Sequence, residues 1–143
     1  MDKVIVAYWS QTGNTAAMAA AIGEGITEAG KEAVVTDISS VSMDDLQAAS
    51  AFALGCPAMG DEVLEDTEFE PMFDGCKDAL KGKNIALFGS YGWGDGEWMR
   101  NWVARMEEAG AQVYGGEDAI CMNEPDSEAE AKLEALGKEL AAL

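Results

Sequence analysis

The chain contains no histidine among its 143 residues. The commonest general base and the commonest metal ligand are therefore missing, which removes chemistry built on imidazole. Basic residues are also few. Nine Lys and Arg stand against 27 Asp and Glu, a formal net charge of −18. That balance repels phosphate backbones and anionic lipid, so neither nucleic acid nor membrane is an expected partner. Cysteine is scarce and odd in number. Cys56, Cys76 and Cys121 are widely separated, which makes neither a disulfide framework nor a paired-cysteine metal site. No apolar run is long enough to span a bilayer. The start, Met1-Asp2-Lys3, leads at once into a predicted strand and does not read as a secretory signal, so a reducing cytoplasm is the expected location.

Present instead is a regular alternation. The length suits one domain with a full core, expected over residues 1–143. Residues 3–9, 33–37, 50–55, 83–89 and 111–122 read as strands, the last interrupted at Gly115-Gly116. Helices are expected at 14–29, 43–49, 69–80 and 97–109, with a final one opened by Pro125. Met18, Ile22 and Ile26 form the core stripe of the first helix, and Gly30 stops it. Ser42 would cap the second. Phe69, Met72, Phe73, Cys76 and Leu80 have helical spacing, as do Trp98, Trp102 and Met106, with Met99 and Val103 beside them. Leu133, Leu136 and Leu140 are the inward face of the last helix. Strand and helix alternating five times predict an open, doubly wound parallel sheet, an α/β three-layer sandwich with helices on both faces. Ligands of such sheets bind outside the carboxyl ends of the strands. Residues 10–15, 56–66 and 90–96 lie there.

Ser10-Gln11-Thr12-Gly13-Asn14-Thr15 joins the first strand to the first helix. The first N–H groups of that helix have no intrahelical acceptor, and the helix dipole adds partial positive charge. Ser10, Thr12, Asn14 and Thr15 add neutral donors, and Gly13 lets the backbone wrap a ligand. The arrangement suits a phosphate. The same residues would also serve as an ordinary N-cap. There is no basic residue between Lys3 and Lys31, so a phosphate would be held by neutral groups alone. A Walker loop and a three-glycine dinucleotide fingerprint are both absent.

In the second loop, Cys56-Pro57-Ala58-Met59-Gly60-Asp61-Glu62, Met59 offers a polarizable side chain for a flat ring and Gly60-Asp61 reads as a tight turn. A core methionine and a structural turn are the plainer alternatives. In the third, Ser90-Tyr91-Gly92-Trp93-Gly94-Asp95-Gly96, Trp93 stands between glycines with nothing local to bury it, which favours stacking on a planar ligand. A phosphate loop with two loops that grip a flat heterocycle describes a mononucleotide site. No base or nucleophile surrounds it, so the ligand itself would carry the chemistry.

Tyr8-Trp9-Ser10 with Thr12-Gly13-Asn14-Thr15, Ala58-Met59-Gly60-Asp61-Glu62, Leu87 through Gly94, and Asn123-Glu124-Pro125-Asp126 together resemble the flavodoxins, in particular the short-chain type of fermentative anaerobes. The resemblance covers nearly the whole chain. It implies strand order 2-1-3-4-5, non-covalent FMN and one-electron transfer at low potential between redox proteins. It implies that Ser10, Thr12, Asn14 and Thr15 hold the phosphate, with Trp9, Gln11 and Gly13 in the same loop. Met59 and Trp93 would cover the two faces of the isoalloxazine, with Pro57 and Ala58 leading into the first. Gly60 and Asp61 would supply the peptide beside flavin N5, where the Gly60 carbonyl would stabilise the neutral semiquinone, and Glu62 would accept from N3. Ser90, Gly92 and Gly94 would line the pyrimidine side and the ribityl chain, with Tyr91 in the same cofactor-binding stretch. Gln11, where the family often has Gly, and Pro57, where a small polar residue would be unremarkable, are departures. The expected partners are basic-surfaced redox proteins, met by a monomer with an acidic rim. A small FMN-dependent reductase acting on a quinone is the competing reading. A phosphoacceptor domain is disfavoured because Ser10 and Cys56 stand where it needs acidic residues.

Overall fold

The computed structural model describes residues 3–9, 13–41, 45, 49, 51–56, 80–91, 96–122 and 125–142. Strands β1 (Lys3–Tyr8), β2 (Glu32–Asp37), β3 (Ala51–Gly55), β4 (Asn84–Tyr91) and β5 (Gln112–Met122) form one parallel sheet in the order β2-β1-β3-β4-β5. Among the described residues three α-helices accompany it: α1 (Asn14–Glu28), α2 (Glu97–Glu108) and α3 (Ser127–Ala141).

Period-two alternation along the strands sorts the core into two halves. Ala7, Phe52, Leu54, Ile85 and Leu87 point to one face, where they meet Trp98, Met99, Trp102 and Met106 of α2. Val4, Val6, Ala53, Ala86 and Phe88 point to the other, against Met18, Ile22 and Ile26 of α1 and Leu133, Leu136 and Leu140 of α3. The expected stripes of all three helices are thus the buried ones. Helices cover both faces, as a parallel sheet requires.

The helices α1 and α3 approach closely through glycine. A Cβ on Gly25 would lie 2.0 Å from the Glu134 carbonyl oxygen, and one on Gly137 would lie 2.1 Å from the Ile22 carbonyl oxygen. Outside this seam Lys138 pairs with Glu28 at 3.0 Å. Glu134 carries a carboxyl raised above the usual range, first by a hydrogen bond shared with Glu24.

Several boundaries differ from the sequence expectation. The fourth strand runs past its expected end at Gly89 through Ser90 and Tyr91, because the long edge strand β5 supplies partners: Ser90 pairs with Cys121 and Tyr91 with Met122. Gly115 and Gly116 do not interrupt β5. Both take positive φ, +75° and +66°, and the ladder absorbs them as a register shift opposite Leu87 and Gly89. Pro125 does not open the last helix. Asp126 is its N-cap, its carboxylate accepting from the Ala129 N–H at 2.8 Å. A 3-10 turn at Ile38–Ser40 was not anticipated. The helices expected at 43–49 and 69–80 lie outside the described residues, save for Asp45, Ala49 and Leu80.

Candidate cofactor site

The carboxyl ends of β1, β3 and β4 lie side by side at the centre of the sheet. The Trp9 N–H donates to the Gly55 carbonyl at 2.9 Å, and the Cys56 N–H donates to the Phe88 carbonyl at 3.2 Å. The chain segments leaving these three strands therefore depart from one tightly tied edge.

Helix α1 begins beside that edge. Its N-cap position is Gly13, at φ +94°, with no side-chain cap. A Cβ there would meet nothing within 4 Å, so the glycine answers to backbone conformation and opens onto free space. The first turn of α1 carries no acidic residue. By contrast α2 has Glu97 in its first turn, and α3 has Glu128 and Glu130. Among the described helices α1 alone has a first turn without an acidic residue, which suits its positive end to an external anion.

Thr15, in that first turn, is 1% exposed, and Ser90, near the end of β4, is 4% exposed. Their hydroxyl oxygens are 3.0 Å apart across 75 residues of sequence. A hydrogen bond between two hydroxyls uses one of their two protons and leaves the other to donate to a further acceptor. The start of α1 and the end of β4 are thereby joined, with donor capacity to spare. The donor set is neutral and fits a phosphate group, as FMN would present.

Beneath the loops the packing leaves no slack. A Cβ on Gly55 would fall 2.2 Å from the Phe88 ring, and one on Gly89 would fall 2.1 Å from the Cys56 carbonyl oxygen. That same carbonyl accepts from the Trp98 indole N–H at 3.1 Å. Tyr91 lies tilted against Trp98, ring centroids 5.6 Å apart at 48°. Gly89 and Trp98 were not among the residues assigned to the site from sequence. Their partner Cys56 is remote along the chain, so no local signal marked them.

Of the other candidates, Trp9 is half-buried at the end of β1, while Gly13 and Asn14 lead into α1. Ser10, Gln11, Thr12, Pro57, Ala58, Met59, Gly60, Asp61, Glu62, Gly92, Trp93 and Gly94 lie outside the described residues. Cys121 forms no disulfide; its thiol is pushed up to about 11, chiefly by burial and further by Asp126, and its Sγ donates to the Met18 Sδ at 3.5 Å. It stays protonated at neutral pH and is a poor nucleophile. Among the described residues no group of three or more Cys, Asp or Glu could hold a metal ion, and no helix is long and apolar enough to cross a membrane.

Residues 6–136 match the family model described as Flavodoxin. The chain is 48% identical over 136 residues to a flavodoxin of Clostridium beijerinckii, covering 95% of this chain and 97% of that one. It is 46% identical over 129 residues to a flavodoxin of Megasphaera elsdenii, covering 90% and 93%. Among solved structures, that of the two-electron reduced Megasphaera elsdenii flavodoxin superposes with a TM-score of 0.87 at 41% identity, covering 98% of this chain and 99% of that chain.

Proposed function

Because the chain belongs to the flavodoxin family, and so binds FMN and carries electrons between redox proteins, we propose a division of labour among its three carboxyl-end loops. Ser10, Thr12, Asn14 and Thr15, with the first N–H groups of α1, hold the phosphate. Met59 and Trp93 cover the two faces of the isoalloxazine. Glu62 accepts from N3, and Ser90, Gly92 and Gly94 line the pyrimidine side and the ribityl chain. When bound, FMN supplies the one-electron chemistry, and the protein supplies binding, orientation and electrostatics. The observation that carries this reading is the buried Thr15–Ser90 bond, which ties the phosphate loop to the strand that leads into Trp93.

Within this arrangement Gly60 has a specific role. With FMN bound, its carbonyl would be the acceptor for a protonated flavin N5 and would turn away from an unprotonated one. Glycine tolerates both backbone arrangements at little steric cost. Replacing Gly60 with Thr adds a branched Cβ that disfavours one of them. A penalty of about 1 kcal/mol makes the first one-electron potential roughly 40 mV more negative. A spectroelectrochemical titration of wild type and Gly60→Thr measures this. An unchanged potential with FMN still bound refutes the role.

The carrier meets its partners through charge. Asp61, Glu62, Glu65, Asp66, Asp95 and Glu97 cluster in sequence around the ligand-end loops, within a chain of net charge −18. Partners with basic surfaces are the complement, and a monomer leaves this rim open to them. Transfer rates to such partners should fall as salt rises, because screening shortens the reach of steering. Stopped-flow rates that are flat or rise monotonically with salt reject the acidic rim as the docking face.

A further inference from the structure

We propose that Trp98 is a positioning residue for the FMN site: its indole N–H, with the bare Cα of Gly89, clamps the Cys56 carbonyl and so sets the path on which the chain leaves β3. The inference rests on the reading above that residues 57–62 bear on the flavin.

The peptide that links Cys56 to Pro57 has no N–H, because proline supplies its nitrogen. Its carbonyl is therefore its one hydrogen-bonding group. In the structure that oxygen accepts from Trp98 Nε1 at 3.1 Å, in a buried contact spanning 42 residues. On another side it lies against Gly89, where a Cβ would come within 2.1 Å of it. The Cys56 N–H is also engaged, donating to the Phe88 carbonyl. The preceding peptide is thus tied to β4, and the following one is tied to α2.

The clamp itself is rigid. Trp98 is 1% exposed, in the first turn of α2. Gly96 starts that helix at φ +93° and accepts from the Met99 and Arg100 N–H groups. The Tyr91 ring, tilted against the indole, limits its rotation. Phenylalanine would fill most of the same space, so packing alone does not require an indole here. The N–H does the specific work, and the group it holds is the last carbonyl before residues 57–62, four residues ahead of Gly60. A backbone rearrangement at Gly60 needs a fixed origin. With the Cys56 carbonyl released, the oxidised protein gains conformations that the one-electron-reduced protein cannot use, and the first reduction becomes less favourable.

The test uses the full chain loaded with FMN and compares wild type, Trp98→Phe, Gly89→Ala, Met106→Ala and Gly60→Thr in one spectroelectrochemical titration. Trp98→Phe should lower the equilibrium constant of the first one-electron step about tenfold, a shift of about 59 mV. Gly89→Ala, which presses on the same carbonyl from the other side, should move it in the same direction. Met106→Ala opens a cavity two turns further along α2 and reports lost core packing without touching the clamp. It should leave the potential unmoved. In the FMN-free protein the Cys56 carbonyl carbon resonance should move upfield in Trp98→Phe and hold still in Met106→Ala. Unchanged potentials in both clamp variants, alongside a shift in Gly60→Thr, overturn the clamp and leave the reading of residues 57–62 standing. An equal shift in Met106→Ala also overturns it, since loss of packing then suffices. No shift in Gly60→Thr overturns that underlying reading.

Discussion

Riboflavin is expected to bind the FMN-free protein roughly a thousandfold more weakly than FMN, since hydrogen bonds to a charged group contribute about 1.5–3 kcal/mol each and at least two are lost with the phosphate. The attraction has to be local. A net charge of −18 opposes a dianion at long range, and no Lys or Arg lies between Lys3 and Lys31. On the proposed assignment the compensation would come from hydroxyls, the Asn14 amide and the N-terminus of α1, whose first turn holds no carboxylate. Thr15→Val should separate the contributions. It removes one member of the buried hydroxyl pair and leaves Ser90 without that partner, at nearly unchanged shape. FMN affinity should fall by about ten- to a hundredfold on the same per-bond magnitude, with riboflavin affinity little altered. Calorimetric titration of both ligands into wild type and variant decides the matter. Equal affinities of wild type for FMN and riboflavin would sink the phosphate assignment.

The second large effect is on stability, at the seam between α1 and α3. Gly137→Ala should destabilise the protein by about 2–3 kcal/mol, within the range for forcing extra carbon into a packed interior. The added Cβ would meet the Ile22 carbonyl oxygen at 2.1 Å and the Ile26 nitrogen at 3.1 Å, and neither is a side chain that can swing away. On helix propensity alone the substitution should stabilise, by about 1 kcal/mol. The expected sign is therefore the opposite of the local one. Gly23→Ala is the control on the same helix pair. Its Cβ would approach the Val35 methyl at 2.6 Å, and Val35 is 39% exposed with room to shift. That variant should be neutral or slightly stabilised. Thermal unfolding should show Gly137→Ala lower by on the order of 5–10 °C, with Gly23→Ala near wild type. Equal midpoints for all three proteins would contradict the close approach of the backbones. The seam also bears on function, because it seats the helix whose first turn carries Thr15.

Periodicity carried most of the architecture. Apolar runs and helical stripes placed the strands and the inward faces of α1, α2 and α3, because burial acts on each element with a fixed spacing that the chain displays directly. The start of α1 at Asn14 was legible for the same kind of reason: glycine and capping-type residues ahead of an apolar helical stripe mark where a helix begins. Contacts between distant residues had no such signature. Ser90 reads as loop because its neighbours are glycine and aromatic; it is strand because Cys121, on another element, pairs with it. The Thr15–Ser90 bond, the Trp98 clamp on Cys56 and the glycine contact of α1 with α3 each join groups that local pattern treats as independent. Their energies depend on separations of a few tenths of an ångström, set when the sheet and helices pack together. Composition and spacing specify which faces must be buried, while the positions of individual donors and carbonyls follow from how those faces close on one another.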